Sequence, residues 1–150
     1  MRVFVAGATG AVGRELVPAL VSAGHAVAGL TRSSAKAAGA RFEREIADWL
    51  AQVLDDRIDR RVKTGAADKG DLAGIRVHGQ RVVAELKNRR DWRPGEWLRE
   101  AEKERANDGA LAGFVVAKRH GIADPTQQVV LMTLGDLVAL ITGTRPQGEQ

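Results

Sequence analysis

The chain contains no cysteine and no tyrosine, only four prolines, and three histidines at His25, His78 and His120. Without cysteine, a disulfide framework, a thiolate metal site and a cysteine nucleophile are all excluded. The histidines lie too far apart in sequence to make a zinc-ligand spacing, so any metal would be held by oxygen. Long apolar runs are missing as well. Nothing approaches the ~18 apolar residues of a membrane span. The opening Met1-Arg2-Val3-Phe4-Val5-Ala6 reaches Gly7 too early to form the apolar centre of a signal peptide. No internal repeat or low-complexity segment interrupts the chain. These absences set the expectation of a cytoplasmic protein with no membrane partner.

What is present is enough apolar material for a core: 44% of 150 residues are hydrophobic, the length of one ordinary domain. The net charge of +4 is modest but unevenly placed. Residues 57 to 93 hold eleven Lys or Arg against five Asp or Glu. Positive charge gathered around a few carboxylates suits a protein that attracts a polyanion. A solvated basic face is the plain alternative.

Pattern divides the chain. Residues 2 to 6 read as a buried strand, 7 to 13 as a tight glycine turn, 11 to 23 as a helix and 25 to 30 as a second strand, making one βαβ unit. Residues 33 to 39 are small and weakly patterned, and beyond them the composition becomes charge-rich. The expected divisions are 1–34, 35–143 and a loose tail, 144–150. Phe42, Ile46, Trp49, Leu50 and Val53 recur at helical steps, giving an amphipathic helix over 40 to 54. Strands are expected over 57–63, 71–77 and 81–87, with His78-Gly79-Gln80 as a hairpin turn. A helix over 97–107, strands over 113–118 and 128–133 and a helix over 135–141 complete the reading. In this hairpin Asp71 and Glu85 stand near each other, and strand alternation puts Lys87 on the face of Glu85.

The turn Gly7-Ala8-Thr9-Gly10-Ala11-Val12-Gly13 resembles the glycine-rich turn of the short-chain dehydrogenase superfamily, over roughly residues 1 to 34. In that likeness Gly7 makes the tight turn, Gly10 lets a pyrophosphate approach the backbone, Gly13 permits close helix packing, and Arg32 would meet a 2′-phosphate. Pro18 within the helix also occurs in that superfamily. Its dinucleotide site spans six strands, of which two are legible here, and its catalytic tyrosine has no counterpart. The expectation is a partial Rossmann-like fragment that binds NADP negligibly, with no cofactor-binding residues assigned.

Residues 39 to 143 carry a second likeness. The helix opening Gly39-Ala40-Arg41-Phe42-Glu43-Arg44-Glu45, Lys63 before the loop 64–70, then Asp71 and Glu85-Leu86-Lys87, resemble the PD-(D/E)XK nuclease superfamily, within it the archaeal- and phage-type Holliday junction resolvases. Gly70 stands where the superfamily name has proline, and Lys63 where these resolvases often carry arginine. The resemblance implies an α/β fold, a restriction-endonuclease-like mixed sheet flanked by helices. It also implies a Mg²⁺-dependent DNA endonuclease, Mn²⁺ substituting, acting on branched DNA as a homodimer.

In that reading Asp71, Glu85 and the Leu86 carbonyl hold the metal, Lys87 orients the water and Glu43 holds a second metal or a water. Arg44, Arg60, Arg61, Lys63, Lys69, Arg89, Arg90 and Arg93 contact DNA, and Trp92 and Trp97 stack on bases or line a dimer contact or the core. Three alternatives stay open: the same nuclease class on other DNA structures, an inactive DNA-binding protein, and an NADP-binding oxidoreductase fragment.

Overall fold

The computed structural model describes residues 1–30, 32–61 and 68–146, without the side chains of Leu30, Arg32, Ser33 and Ser34. The chain divides into two compact units, Met1–Ala40 and Arg41–Gln150. Both are mixed α/β.

In the first unit β1 (Arg2–Ala6) and β2 (Ala26–Leu30) run parallel, in register from Arg2 opposite Ala26 to Ala6 opposite Leu30. Parallel neighbours need a crossover, and α1 (Ala11–Ser22) supplies it. The run Val3-Phe4-Val5 reads as a strand buried on both faces, yet only Val5 is buried and Phe4 is 69% exposed. The reason is the number of neighbours: a sheet of two strands with one helix covers one face.

Helix α2 (Arg32–Val53) crosses the division between the units and starts well before the expected residue 40. The small residues of 33–39 continue the helix instead of forming a join, because Ala and Lys carry high helix propensity. In the second unit the sheet order is β3 (Asp59–Arg60), β4 (Leu72–Ala73), β6 (Gln80–Lys87), β7 (Ala112–Ala117) and β8 (Val129–Leu131). The short β5 (Arg76–Val77) pairs with β6 across the His78-Gly79 turn. Strands β6 and β7 are parallel, joined by α3 (Pro94–Asp108), and every other pairing is antiparallel.

The expected strand 71–77 is cut in two at Gly74. Its φ is +90°, and a Cβ there would sit 2.3 Å from the Arg57 carbonyl oxygen, so backbone passes where a side chain would stand.

Strand alternation then sorts the core. Val82, Ala84 and Leu86 of β6 join Ala112 and Val116 of β7 against Phe42, Ile46 and Ala47 of α2. On the opposite face Val115 and Ala117 pack on Trp97 and Ala101 of α3. Helix α4 (Leu134–Thr142) is capped by Thr133, whose hydroxyl accepts the Asp136 amide at 3.1 Å. The Asp136 carboxylate accepts the Gly113 amide and the Arg145 guanidinium, tying α4 to β7.

One buried charge knots the other end of the sheet. The Asp108 side chain, 6% exposed, accepts Arg61 at 3.2 Å and Arg81 at 3.0 Å and lies 3.7 Å from Lys69. Asp108→Ala would leave three cations around an emptied site. Because those cations are themselves partly exposed, the expected loss is on the order of 2–3 kcal/mol of unfolding free energy, read by urea denaturation. An unchanged midpoint would show the knot to be idle.

Candidate functional site

In the first unit the chain leaves β1 into a turn closed by the Gly10 amide donating to the Gly7 carbonyl at 2.8 Å. Gly7 has φ +77°, the left-handed region. Helix α1 then starts so close to this turn that a Cβ on Gly13 would lie 2.3 Å from the Gly7 carbonyl oxygen and 2.6 Å from the Ala8 backbone. Gly10 is the N-cap, no side chain caps the helix, and its first turn carries no acidic residue. The first amides of a helix have no intrahelical acceptor, so Ala11 and Val12, both exposed, present donors at the positive end of the helix dipole. Arg14 leans on the same turn, its Nε donating to the Thr9 carbonyl at 3.2 Å. The arrangement suits an anion that approaches backbone closely. Arg14 escaped the sequence reading, although its place directly after the last glycine was the available signal. Arg32 begins α2, and its side chain lies outside the described residues.

The second unit gathers the acidic residues singled out in sequence. Asp71 and Glu85 are 3% and 7% exposed. Asp71 accepts the Leu86 amide at 2.9 Å and donates its own amide to the Ala84 carbonyl. Lys87 Nζ lies 2.7 Å from Glu85 Oε1 and 2.5 Å from Glu100 Oε2. Alternation along β6 thus brings Glu85 and Lys87 to the face covered by α3, which adds Glu100 and Glu104. Neither was singled out beforehand, though their four-residue spacing puts them on one helix face.

Burial, then the nearby Asp71 charge, pushes the Glu85 carboxyl up to about 8 despite Lys87. Burial also raises Glu104, partly offset by its hydrogen bond with Glu85, and Glu104 Oε2 has no partner among the described residues. For Lys87, burial opposes the charge, but Glu100 and Glu85 outweigh it and the ammonium is held above its ordinary range.

The remaining expected residues are mostly spoken for. Glu43 is held by Arg60 at 2.6 Å, so two side chains assigned different tasks neutralise each other. Arg44 pairs with Asp59 and Asp48, Arg61 and Lys69 with Asp108, and Arg93 with Asp91 and Glu96. Lys63 lies outside the described residues. Arg89 and Arg90 are exposed and pair with no described carboxylate.

The model of the NAD dependent epimerase/dehydratase family matches residues 3–86, more than half of the chain. No curated protein and no solved structure matches it. The match begins in β1, takes in the whole glycine turn and ends at Leu86 in β6.

This overturns the expectation of a metal-dependent resolvase or any other nuclease, and with it the assignment of Mg²⁺ or Mn²⁺ as cofactor; the cofactor that the family implies is NAD(P). That implication runs against the expectation that the first unit binds NADP negligibly. Geometry agrees on the metal. Among the described residues no group of three or more His, Cys, Asp or Glu side chains is arranged to hold an ion. An ammonium already bridges Glu85 and Glu100, and Asp71 is engaged by backbone. Among the described residues no helix is long and apolar enough to cross a membrane.

Proposed function

The chain belongs to the NAD dependent epimerase/dehydratase family, and from that premise we propose that its glycine turn binds the pyrophosphate of NAD(P), making the chain an NAD(P)-binding oxidoreductase-like protein. The observation that carries this is the uncapped start of α1 behind Gly10, with Gly13 letting the helix close onto the turn.

The residues fit the group. Amides of Ala11 and Val12 donate to phosphate oxygens, Gly10 keeps the approach clear of side chains, and the exposed Arg14 guanidinium adds positive charge beside the turn. When bound, NAD(P) supplies a nicotinamide ring that accepts or donates hydride. The chain has no tyrosine to hold the substrate proton, so the family's usual acid–base residue has no counterpart. Its own described residues contribute binding and orientation.

A full dinucleotide site lies between two halves of a larger parallel sheet, whereas the first unit has two strands. Affinity should therefore be modest, with a Kd on the order of 1 mM, about −4 kcal/mol. Isothermal titration of the full chain with NADP and with NAD is the test. Saturable binding with one-to-one stoichiometry is expected, and no heat beyond dilution at several times that concentration would refute the proposal.

A further inference from the structure

The parallel pair β6–α3–β7 brings two loops together at its carboxyl ends, and that end of the second unit carries a surface the dinucleotide reading does not use. The first loop, 88–93, follows β6; the second, 118–124, follows β7. They are tied by the Lys118 amide donating to the Lys87 carbonyl at 2.9 Å and by His120 Nε2 lying 3.0 Å from the Arg89 carbonyl oxygen.

Three exposed guanidinium groups stand here: Arg89, Arg90 and Arg119. None has an ion-pair partner among the described residues; the Arg119 guanidinium donates to the Gln127 carbonyl at 3.1 Å, and the Arg119 amide to Gln128 Oε1 at 2.8 Å. That sets them apart from Arg44, Arg60, Arg61, Arg81, Arg93, Arg105 and Arg145, each held by a carboxylate. The nearby acids are mostly offset. Asp91 and Glu96 are both held by Arg93, and Glu100 by Lys87, while Asp124 keeps its charge and accepts the Thr126 amide and hydroxyl.

In the first of these loops, two residues after Arg90, Trp92 is 52% exposed, its ring 5.2 Å from that of Trp97 at 77°. Trp97 is buried in the α3 core, so the exposed indole rests on a fixed support. Guanidinium groups without a carboxylate partner, on the same pair of loops as a supported, solvent-facing aromatic ring, supply the two elements that bind single strands: cations for the backbone and a stacking platform for a base. A lipid headgroup or an acidic peptide would engage the arginines but leave the indole without a π-face partner.

We propose that the carboxyl ends of β6 and β7 bind single-stranded nucleic acid, with Arg89, Arg90 and Arg119 on backbone phosphates and Trp92 stacked on a base. This rests on the second unit alone and stands whether or not the first binds NAD(P).

The test is fluorescence anisotropy of a labelled oligothymidylate of about 20 nucleotides, titrated with the full chain from about 50 to about 200 mM NaCl. Saturable binding that weakens with salt is expected, with a log–log slope near −2 for three phosphate contacts at about −0.7 each. Arg89→Ala combined with Arg90→Ala should weaken binding about tenfold at the lowest salt and lower the slope by about 1.4. Trp92→Ala should weaken it about tenfold with the slope unchanged, and Trp92→Phe should restore most of the affinity. All these positions are exposed, so far-ultraviolet circular dichroism should match the parent. The proposal is overturned if no saturable binding appears at low salt, or if the double arginine variant keeps the parent slope. It is equally overturned if Trp92→Ala binds like the parent, or if duplex, heparin or phosphatidylserine vesicles bind as tightly as the single strand.

Discussion

Replacing Gly13 with alanine should bring NAD(P) binding below detection while leaving the second unit folded. The added Cβ would fall 2.3 Å from the Gly7 carbonyl oxygen and 2.6 Å from Ala8 backbone atoms, contacts that only a shift of the helix can relieve. Those atoms are the turn itself, so relief means moving the start of α1 away from the place where a pyrophosphate would sit. Overpacking of this kind costs on the order of 3 kcal/mol, which at 1.4 kcal/mol per decade is about a hundredfold in affinity. All three tryptophans, Trp49, Trp92 and Trp97, belong to the second unit, so intrinsic fluorescence reports on that unit alone. Unchanged tryptophan emission with lost binding heat is the expected pair of results. Binding equal to the parent's would place the dinucleotide elsewhere.

Stability should fall as pH rises through neutrality, and Glu85→Gln should remove most of that fall. Burial and the neighbouring Asp71 hold the folded-state pKa of Glu85 at about 8, against an ordinary value of 4.5. Between those values the folded protein keeps a proton that the unfolded chain has released, so the folded state binds more protons and stability declines with rising pH. The contribution is complete below pH 4.5 and gone once pH passes about 8. Glu104, raised chiefly by burial, acts in the same direction. The size is on the order of a few kcal/mol, the Lys87 ammonium being already counted in that pKa. Urea melts at a series of pH values test this. The variant should match the parent near pH 5 and exceed it near pH 8; a parent whose stability rises across that window would contradict the burial of an uncharged Glu85. The acid side behaves oppositely. Asp136, where burial is outweighed by Thr133 and Arg145, has a lowered pKa, and its share of stability is lost only as pH falls through the acid range.

Much of the fold could be read from pattern because local physics decides it. The two-residue period of Val82 to Lys87 assigned faces in β6 correctly, and with them the closeness of Glu85 and Lys87. The His78-Gly79 hairpin and the first βαβ crossover were equally legible. What escaped was set by contacts distant in sequence. Gly74 looks like any strand glycine until the backbone of Arg57 passes it. Glu43 and Arg60 are seventeen positions apart, and nothing local says that they bind each other. The acidic trio invited a metal because its spacing is visible, whereas the ammonium bridge to Glu100 depends on how α3 packs. The glycine turn is legible in the sequence, whereas the further strands of a full dinucleotide site are not. Its receptive features, the uncapped amides and Arg14, lie within eight residues and do not depend on those strands.

The most direct measurement is a titration of the ¹⁵N-labelled full chain with NADPH, followed by amide resonances. The amides of Gly10, Ala11 and Val12 should shift saturably with one common dissociation constant, while those of Glu85 and Leu86 in β6 stay in place. No saturable shift at the three turn amides up to about 10 mM, a limit of about −3 kcal/mol, would contradict the assignment of the turn as a dinucleotide site.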